Sequence, residues 1–276
     1  MIIYYSNLPV RFTQLAVMIQ LEILYEDDNL IVVNKPAGIL VTPDRWDRGI
    51  PTLQDMLREY LRRNQGTQHP NLRVIHRLDK DTSGAIVLAK NVKAQSNVSK
   101  QFESGEVSKS YYAIVRGDIP QNEGIINFSL SESTREPGTM VVNSKGKKSI
   151  TLFNVLERFD GFTLVEAKPL TGRTHQVRVH FNALGYPLAI DPLYGNSEPV
   201  FLSHFKKNYK AKDEEEKPVI SRLPLHAVLL SFREPIEGKT IVVEAPLPRD
   251  FSRMLKLLRK YRPQTSPAMA NPGPSE

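Results

Sequence analysis

The stretch HRLDKDTSGAIVLAK, residues 76–90, places a charged segment directly before an apolar one. Its apolar part, 84–89, is predicted to be a β-strand, because a short apolar run that follows turn residues favours strand. Residues 81–84, Asp-Thr-Ser-Gly, have the chemistry of a turn. The charged part contributes Arg77, Asp79, Lys80 and Asp81. It is either a solvated surface turn or a carboxylate held beside cations for chemistry on an anionic substrate.

Strand-like patterns extend outward from this stretch in both directions. Apolar runs on either side of Asp27-Asp28 predict a hairpin that begins the folded region near residue 20. A second hairpin is predicted around Asp160-Gly161, a residue pair that favours a type I′ turn. Further strands are predicted at 72–76, 107–116, 148–158, 161–168, 225–233 and 239–245.

Apolar residues at helical spacing predict four helices among these strands. Their expected limits are Thr52 and Gly66, Asn91 and Gly105, Thr174 and Gly185, and 250 and 261. In the third helix, Val177, Phe181 and Leu184 are expected to face the core. Strands mixed with a few helices, without a regular βαβ rhythm, predict one α+β domain over 20–262.

Three segments are predicted to lie outside the core of this domain. Residues 1–19 form an N-terminal extension, and 206–218 are a mixed charge run that is typical of a solvated loop. Residues 263–276 are rich in Pro and Ser, so we expect a disordered tail.

The composition narrows the class of protein. The chain holds 37 Lys and Arg against 30 Asp and Glu, a net charge of +7 with a pI near 9.4, which favours a nucleic-acid partner. No apolar run approaches the ~18 residues of a membrane span, so no membrane partner is expected. The absence of cysteine excludes disulfides and thiol nucleophiles and is typical of a reducing compartment, the cytoplasm or an organelle.

A second polar cluster lies in PLTGRTHQVRVHFNALG, residues 169–185. It gathers Arg173, His175, Arg178 and His180 where a helix is expected to begin. Free backbone N–H groups and the positive end of the helix dipole favour an anion or a carboxylate at such a position.

The spacing of residues excludes several common kinds of metal, phosphate-binding and nucleophile sites. His175 and His180 are five residues apart, which does not match the i, i+4 spacing of a helical zinc pair, so no metal is expected. The sequence contains no glycine-rich phosphate loop and no G-x-S-x-G nucleophile motif. After these exclusions, the remaining candidate site is an aspartate among arginines, in a basic protein without cofactor motifs.

The segment HRLDKDTSG (76–84) resembles the signature H-R-L-D-x-x-T-S-G of the RluA-type pseudouridine synthases at every fixed position. Four further stretches resemble that family in the same order: LYEDDNLIVVNKPAGILVTP, KSYYAIVRG, PLTGRTHQVRVHFNALGYPLAIDPLYG and LPLHAVLLSF. The resemblance covers about 21–247. Ile190 stands where the family usually has glycine, a loop change that leaves the catalytic positions intact.

This resemblance implies a fold and a reaction. The fold is a large mixed, mainly antiparallel sheet flanked by a few helices, and we expect no S4 RNA-binding domain before it. The reaction isomerises uridine to pseudouridine in structured RNA, either rRNA or tRNA, and needs no cofactor. Asp79 is then the catalytic carboxylate, and the residues leave open whether it attacks the ribose directly or acts through a glycal. We expect a monomer.

The resemblance also assigns roles around Asp79. Arg173 is expected to pair with its carboxylate, with Arg178 as the alternative partner. Tyr111 is expected to stack on the flipped uracil, and Arg77 to assist base flipping. Adjacent strand residues point to opposite faces, so only one of Tyr111 and its neighbour Tyr112 can line the site. The remaining substrate-binding candidates are His76, Lys109 and Arg178.

One rival interpretation uses the same fold without catalysis. A protein that only binds or folds RNA would not need Asp79, Arg173 and Tyr111 together, so their joint presence favours the enzyme.

Overall fold

The computed structural model describes residues 21–43, 50–66, 71–206, 209 and 216–264. The predicted extension 1–19 lies outside these residues, as do most of the charged run 206–218 and nearly all of the tail 263–276. Among the described residues, no helix combines the length and the apolar character needed to cross a bilayer.

Twelve strands and four α-helices lie within the described residues. The strands are β1 (Glu22–Glu26), β2 (Leu30–Lys35), β3 (Arg73–Val74), β4 (Ser83–Ala89), β5 (Ser108–Arg116), β6 (Glu123–Asn127), β7 (Leu130–Glu132), β8 (Met140–Val142), β9 (Ile150–Phe159), β10 (Phe162–Pro169), β11 (Leu225–Arg233) and β12 (Thr240–Glu244). The helices are α1 (Leu53–Gln65), α2 (Val92–Ser104), α3 (Gln176–Ala183) and α4 (Arg249–Tyr261), with a short 3₁₀ turn at Leu202–His204.

The α+β class with a large mixed sheet is confirmed. Ten strands form one sheet, in the order β1-β2-β4-β11-β5-β10-β9-β6, with β12 paired to β11 and β3 to β4. All of its pairings are antiparallel except that between β4 and β11. Strands β7 and β8 form a separate two-stranded sheet.

The parallel pair places Gly84 directly beside Ala227. Gly84 has φ +119°, a conformation that side-chain-bearing residues rarely adopt, and a β-carbon there would overlap the backbone of Ala227. Ala227 is also the register partner of Tyr111 on β5. One residue of β11 therefore lies between the turn of the signature and the predicted base-stacking tyrosine.

The sheet buries both of its faces under helices. On one face, α1 packs on the half that holds β2 and β4, and α3 packs on the half that holds β5 and β10. On the other face, α2 covers the first half and α4 the second. Tyr111 contacts the apolar clusters under both α1 and α3, so it lies where these two clusters meet.

The helix ends follow the sequence signals closely where capping is local. Thr52 accepts a hydrogen bond from the Asp55 backbone and completes a capping box, and Asn91 caps α2 through the Ala94 backbone. Gly66 and Gly105 end these helices in the left-handed conformation.

Two local predictions are wrong. Helix α3 begins at Gln176 rather than near Thr174 and ends before Leu184, which is 37% exposed. In the Asp160-Gly161 hairpin only the glycine has positive φ, whereas a type I′ turn requires positive φ at both residues.

Candidate active site

Asp79 lies in the loop between β3 and β4, and its side chain is 27% exposed. The loop is held from beneath by the fully buried Lys35, whose ammonium group donates to the carbonyl oxygens of Lys80 (2.9 Å), Ile39 (2.8 Å) and Pro36 (3.0 Å). Burial lowers the pKa of Lys35 to about 7, against the opposing charges of Asp81 and Asp79. The chain therefore fixes the backbone beside Asp79 while its carboxylate reaches solvent.

Two positively polarised groups flank the Asp79 carboxylate. Nη1 of Arg178 lies 3.8 Å from Oδ2, and Nε2 of His175 lies 4.0 Å from Oδ1. Both distances exceed a direct hydrogen bond, so neither group occupies the oxygens of the carboxylate. The carboxylate thus keeps its hydrogen-bonding capacity for a substrate.

Arg178 is fixed by a second carboxylate, that of Asp191. Its Nε and Nη2 donate to the two Asp191 oxygens at 2.8 and 2.7 Å, the bidentate geometry typical of strong arginine–carboxylate pairs. Asp191 is fully buried and also accepts the backbone N–H groups of Leu193 and Tyr194. Although burial opposes the charge, the bonds to Asp191 raise the pKa of Arg178.

The prediction that Arg173 pairs with Asp79 is wrong in this structure. Arg173 is exposed, and its Nε donates to the carbonyl oxygen of Lys148 at 3.3 Å. The reason lies in the start of α3: Arg173 precedes the helix, whereas Arg178 lies inside it on a buried face. The alternative partner, Arg178, is the guanidinium that lies beside Asp79.

The loop before α3 is organised by Gln176. Its side-chain oxygen accepts from the Thr171 hydroxyl (2.7 Å) and the Arg173 backbone (3.0 Å), and its amide nitrogen donates to Ile150 and Thr151. His175, directly before it, has φ 53°, which among the described residues is the one positive φ outside glycine. Such backbone strain persists where the surroundings over-determine it, as the Gln176 bonds do here.

His175 is held on both sides of its ring. Nδ1 lies 2.7 Å from the hydroxyl of Tyr194, and Nε2 faces Asp79. Burial lowers the pKa of His175, while the charge of Asp79 acts in the opposite direction. The imidazole is therefore neutral at physiological pH.

Tyr111 and Tyr112 lie on opposite faces of β5, as alternation predicts. Tyr111 packs in the clusters under α1 and α3, and Tyr112 packs in the cluster under α4. Burial and the charge of Asp79 raise the pKa of Tyr111, so its hydroxyl stays protonated.

The three remaining predicted residues are His76, Lys109 and Arg77. His76 accepts a hydrogen bond from the Val87 backbone at 3.2 Å and stacks on Phe102, and burial lowers its pKa to about 3. Lys109 has its ammonium group 5.8 Å from the Phe102 ring, and burial lowers its pKa. Arg77 is exposed. Substrate binding by these three residues stays a prediction.

Sequence analysis missed two residues of the site, Asp191 and Tyr194. Both lie in the IDPLYG segment, which was matched to the family without being given a role. A signal was available, because an acidic residue that precedes Pro within an apolar segment needs a partner if it is buried. Within the described part of the chain, no three His, Cys, Asp or Glu side chains form a set that could hold a metal ion.

Comparisons of this chain with known proteins agree on one family. A family model described as RNA pseudouridylate synthase matches residues 29–183. The chain is 36% identical over 254 residues to the uncharacterized RNA pseudouridine synthase YlyB of Bacillus subtilis, covering 91% of this chain and 77% of that protein. It is 35% identical over 247 residues to the ribosomal large subunit pseudouridine synthase D of Nitrosomonas europaea, covering 88% and 67%.

A solved structure agrees with the fold. Human RNA Pseudouridylate Synthase Domain Containing 4 superposes with a TM-score of 0.67 at 27% identity, covering 86% of this chain and 93% of that one.

Proposed function

Because the chain belongs to the RNA pseudouridylate synthase family, we propose that Asp79 is the carboxylate with which it isomerises uridine in RNA. The observation that carries this proposal is the position of Asp79, which is partly exposed, flanked by Arg178 and His175, and free of a direct hydrogen bond to either. A carboxylate in this state is available to attack or deprotonate a ribose, or to stabilise positive charge on it.

Arg178 lies beside Asp79 while Asp191 keeps Arg178 in place. Because Asp191 already takes the two-bond contact, Arg178 supplies charge to Asp79 without occupying its oxygens. This arrangement supports a reactive carboxylate rather than a structural ion pair.

We assign base stacking to Tyr111 and base flipping to Arg77. The charge of Asp79 acts on the Tyr111 hydroxyl, and the Tyr111 ring lies at the junction of the two apolar clusters, which supports Tyr111 as the aromatic partner of a uracil at Asp79. Stacking of this kind is worth about 1–3 kcal/mol per base. Arg77 is exposed two residues before Asp79, a position from which it could fill the space that a flipped uridine leaves.

The proposed substrate is ribosomal RNA of the large subunit. Support comes from the relative in Nitrosomonas europaea, which is named for that RNA. Pseudouridine maps of ribosomal and transfer RNA, from cells with and without the gene, test this choice. If only transfer RNA loses a pseudouridine, the proposed substrate is wrong and transfer RNA takes its place, whereas the proposed reaction still stands.

The reaction is tested with Asp79→Asn, incubated with uridine-containing RNA and assayed for pseudouridine. We expect kcat to fall more than about 10³-fold, because the amide can neither attack nor deprotonate. RNA affinity should be unchanged or slightly tighter, because one charge that repels phosphate is lost.

The matched control is Asp81→Asn, which removes the same charge from an exposed position two residues away. Its activity should stay within about twofold of the unmodified chain. Full activity in Asp79→Asn would refute the assignment. RNA binding without any pseudouridine from the unmodified chain would instead favour the non-catalytic rival.

A further inference from the structure

Tyr194, for which the sequence predicted no role, contacts both groups that flank Asp79. Its hydroxyl oxygen is 2.7 Å from Nδ1 of His175 and accepts a 2.8 Å hydrogen bond from the backbone N–H of Met140. Its ring lies 5.0 Å from the guanidinium carbon of Arg178, within the range of a cation–π contact. The Tyr194 ring therefore contacts Arg178, and the Tyr194 hydroxyl contacts His175.

The direction of these hydrogen bonds follows from which groups can donate. The Met140 amide can only donate, so the Tyr194 oxygen accepts from it and has its own proton left to donate to Nδ1 of His175. A neutral imidazole that accepts at Nδ1 carries its proton on Nε2. Nε2 is the ring atom that lies 4.0 Å from Asp79 Oδ1.

The opposite arrangement is electrostatically unfavourable. If Nδ1 carried the proton and donated to Tyr194, the lone pair of Nε2 would face the Asp79 carboxylate. Burial also keeps the pKa of Tyr194 raised, so its hydroxyl retains the proton that it donates. Geometry and charge thus favour one tautomer of His175.

We propose that Tyr194 is a positioning residue: its hydroxyl holds His175 in the tautomer that presents an Nε2–H group to the Asp79 carboxylate. The Met140 bond anchors this hydroxyl to β8, so the orientation of His175 depends on the two-stranded sheet as well as on α3. The positioning role rests on the proposed function because it presumes that Asp79 is the reacting group.

The first test reads the tautomer directly and needs no RNA. In the full chain, ¹⁵N chemical shifts of the His175 ring should show a proton on Nε2. Tyr194→Phe keeps the ring over Arg178 and removes only the hydroxyl, so it should yield a mixture of tautomers. The matched control is Tyr25→Phe on the edge strand β1, which removes a hydroxyl that donates to Asp27 and should leave the His175 shifts unchanged.

The second test measures turnover. Tyr194→Phe should lower kcat about tenfold, the effect of one lost hydrogen bond, and change KM for RNA less than twofold. His175→Asn suits the left-handed backbone at this position and removes the imidazole. If Tyr194 acts through His175, adding Tyr194→Phe to His175→Asn should cost less than a further twofold in kcat.

Three results would overturn the proposal: a proton on Nδ1 in the unmodified chain, the same tautomer in Tyr194→Phe, or an undiminished tenfold loss in the His175→Asn background. Thermal unfolding of each variant separates these effects from loss of folding. If the unmodified chain makes no pseudouridine, the proposed function fails, and the NMR experiment still decides the tautomer.

Discussion

The two arginines of the segment TGRTHQVR differ in their surroundings far more than in their sequence context. Arg178 is 7% exposed and held by a buried carboxylate, whereas Arg173 is exposed and bonded through one nitrogen to a backbone oxygen. Lys147 and Lys148 are exposed near Arg173, so this edge of the site is suited to phosphate groups. One arginine thus lies beside the carboxylate, and we expect the other to contact the RNA backbone.

We therefore predict opposite kinetic effects for the two arginines. Arg173→Ala should raise KM for RNA and reduce the slope of log affinity against log salt by about 1, with kcat within about threefold. Arg178→Lys should lower kcat about 100-fold and leave the salt slope unchanged, because a lysine cannot keep the two-bond contact to Asp191. Titrations at several salt concentrations, combined with steady-state kinetics, measure both.

An exchange of these effects, with kcat lost in Arg173→Ala and the salt slope reduced in Arg178→Lys, would restore the pairing expected from the sequence.

The expectation that Arg173 pairs with Asp79 failed for a physical reason. Both arginines lie in one motif, and the choice between them depends on where α3 begins and on the presence of Asp191, thirteen residues after Arg178. By contrast, the motif alone pointed to Asp79, and strand alternation alone predicted that Tyr111 and Tyr112 lie on opposite faces of β5.

At the scale of elements, strand β4 is buried along its whole length and is preceded by the loop that holds Asp79. Its neighbours are β2 on one side and both β11 and the short β3 on the other, and the contact with β11 allows no side chain at position 84. The glycine that ends the signature is therefore required by packing as much as by the turn.

Gly84→Ala should lower the free energy of unfolding by more than about 3 kcal/mol, since it adds backbone strain and a clash with Ala227. Gly105→Ala is the matched control. Its φ is +78°, but a β-carbon there has open space, so we expect a loss of about 1 kcal/mol. Urea unfolding measures both, and equal losses would rule out the crowding explanation.

The limits of α1 and α2 and the positions of the two hairpins were predictable because their signals are local. Thr52, Asn91, Gly66 and Gly105 act within one turn of the residues they cap, so the sequence alone places them correctly. The order of strands is not local: β11 lies between β4 and β5 although 108 residues separate the last residue of β5 from the first of β11 in the chain. The family resemblance, rather than periodicity, predicted the large mixed sheet.

For the molecule as a whole, the half-buried His76 and the buried His226 couple stability to pH. Burial lowers the pKa of His226 from 6.5 to about 4 and that of His76 to about 3. Below pH 6.5 the unfolded chain binds protons at these groups and the folded chain does not, so stability falls as pH falls. The loss is confined to the range below the unfolded pKa.

Between pH 7.5 and 5, each histidine should remove about 2 kcal/mol from the free energy of unfolding. Urea unfolding at several pH values measures the slope, and replacing both His76 and His226 by Asn should remove most of it. Replacing His204, which is exposed, by Gln is the control and should leave the slope unchanged. A flat profile in the unmodified chain would contradict this prediction.

The position of β11 has a consequence for how the enzyme is made. Ala227 pairs with both Gly84 and Tyr111, so the spacing between the signature loop and the tyrosine proposed to stack on the base is set by a strand that is synthesised after both. Domains fold as units once their partners have been synthesised. The nascent chain therefore carries Asp79, Tyr111 and Arg178 before they can take up their native arrangement, which requires that residue 233 has been translated.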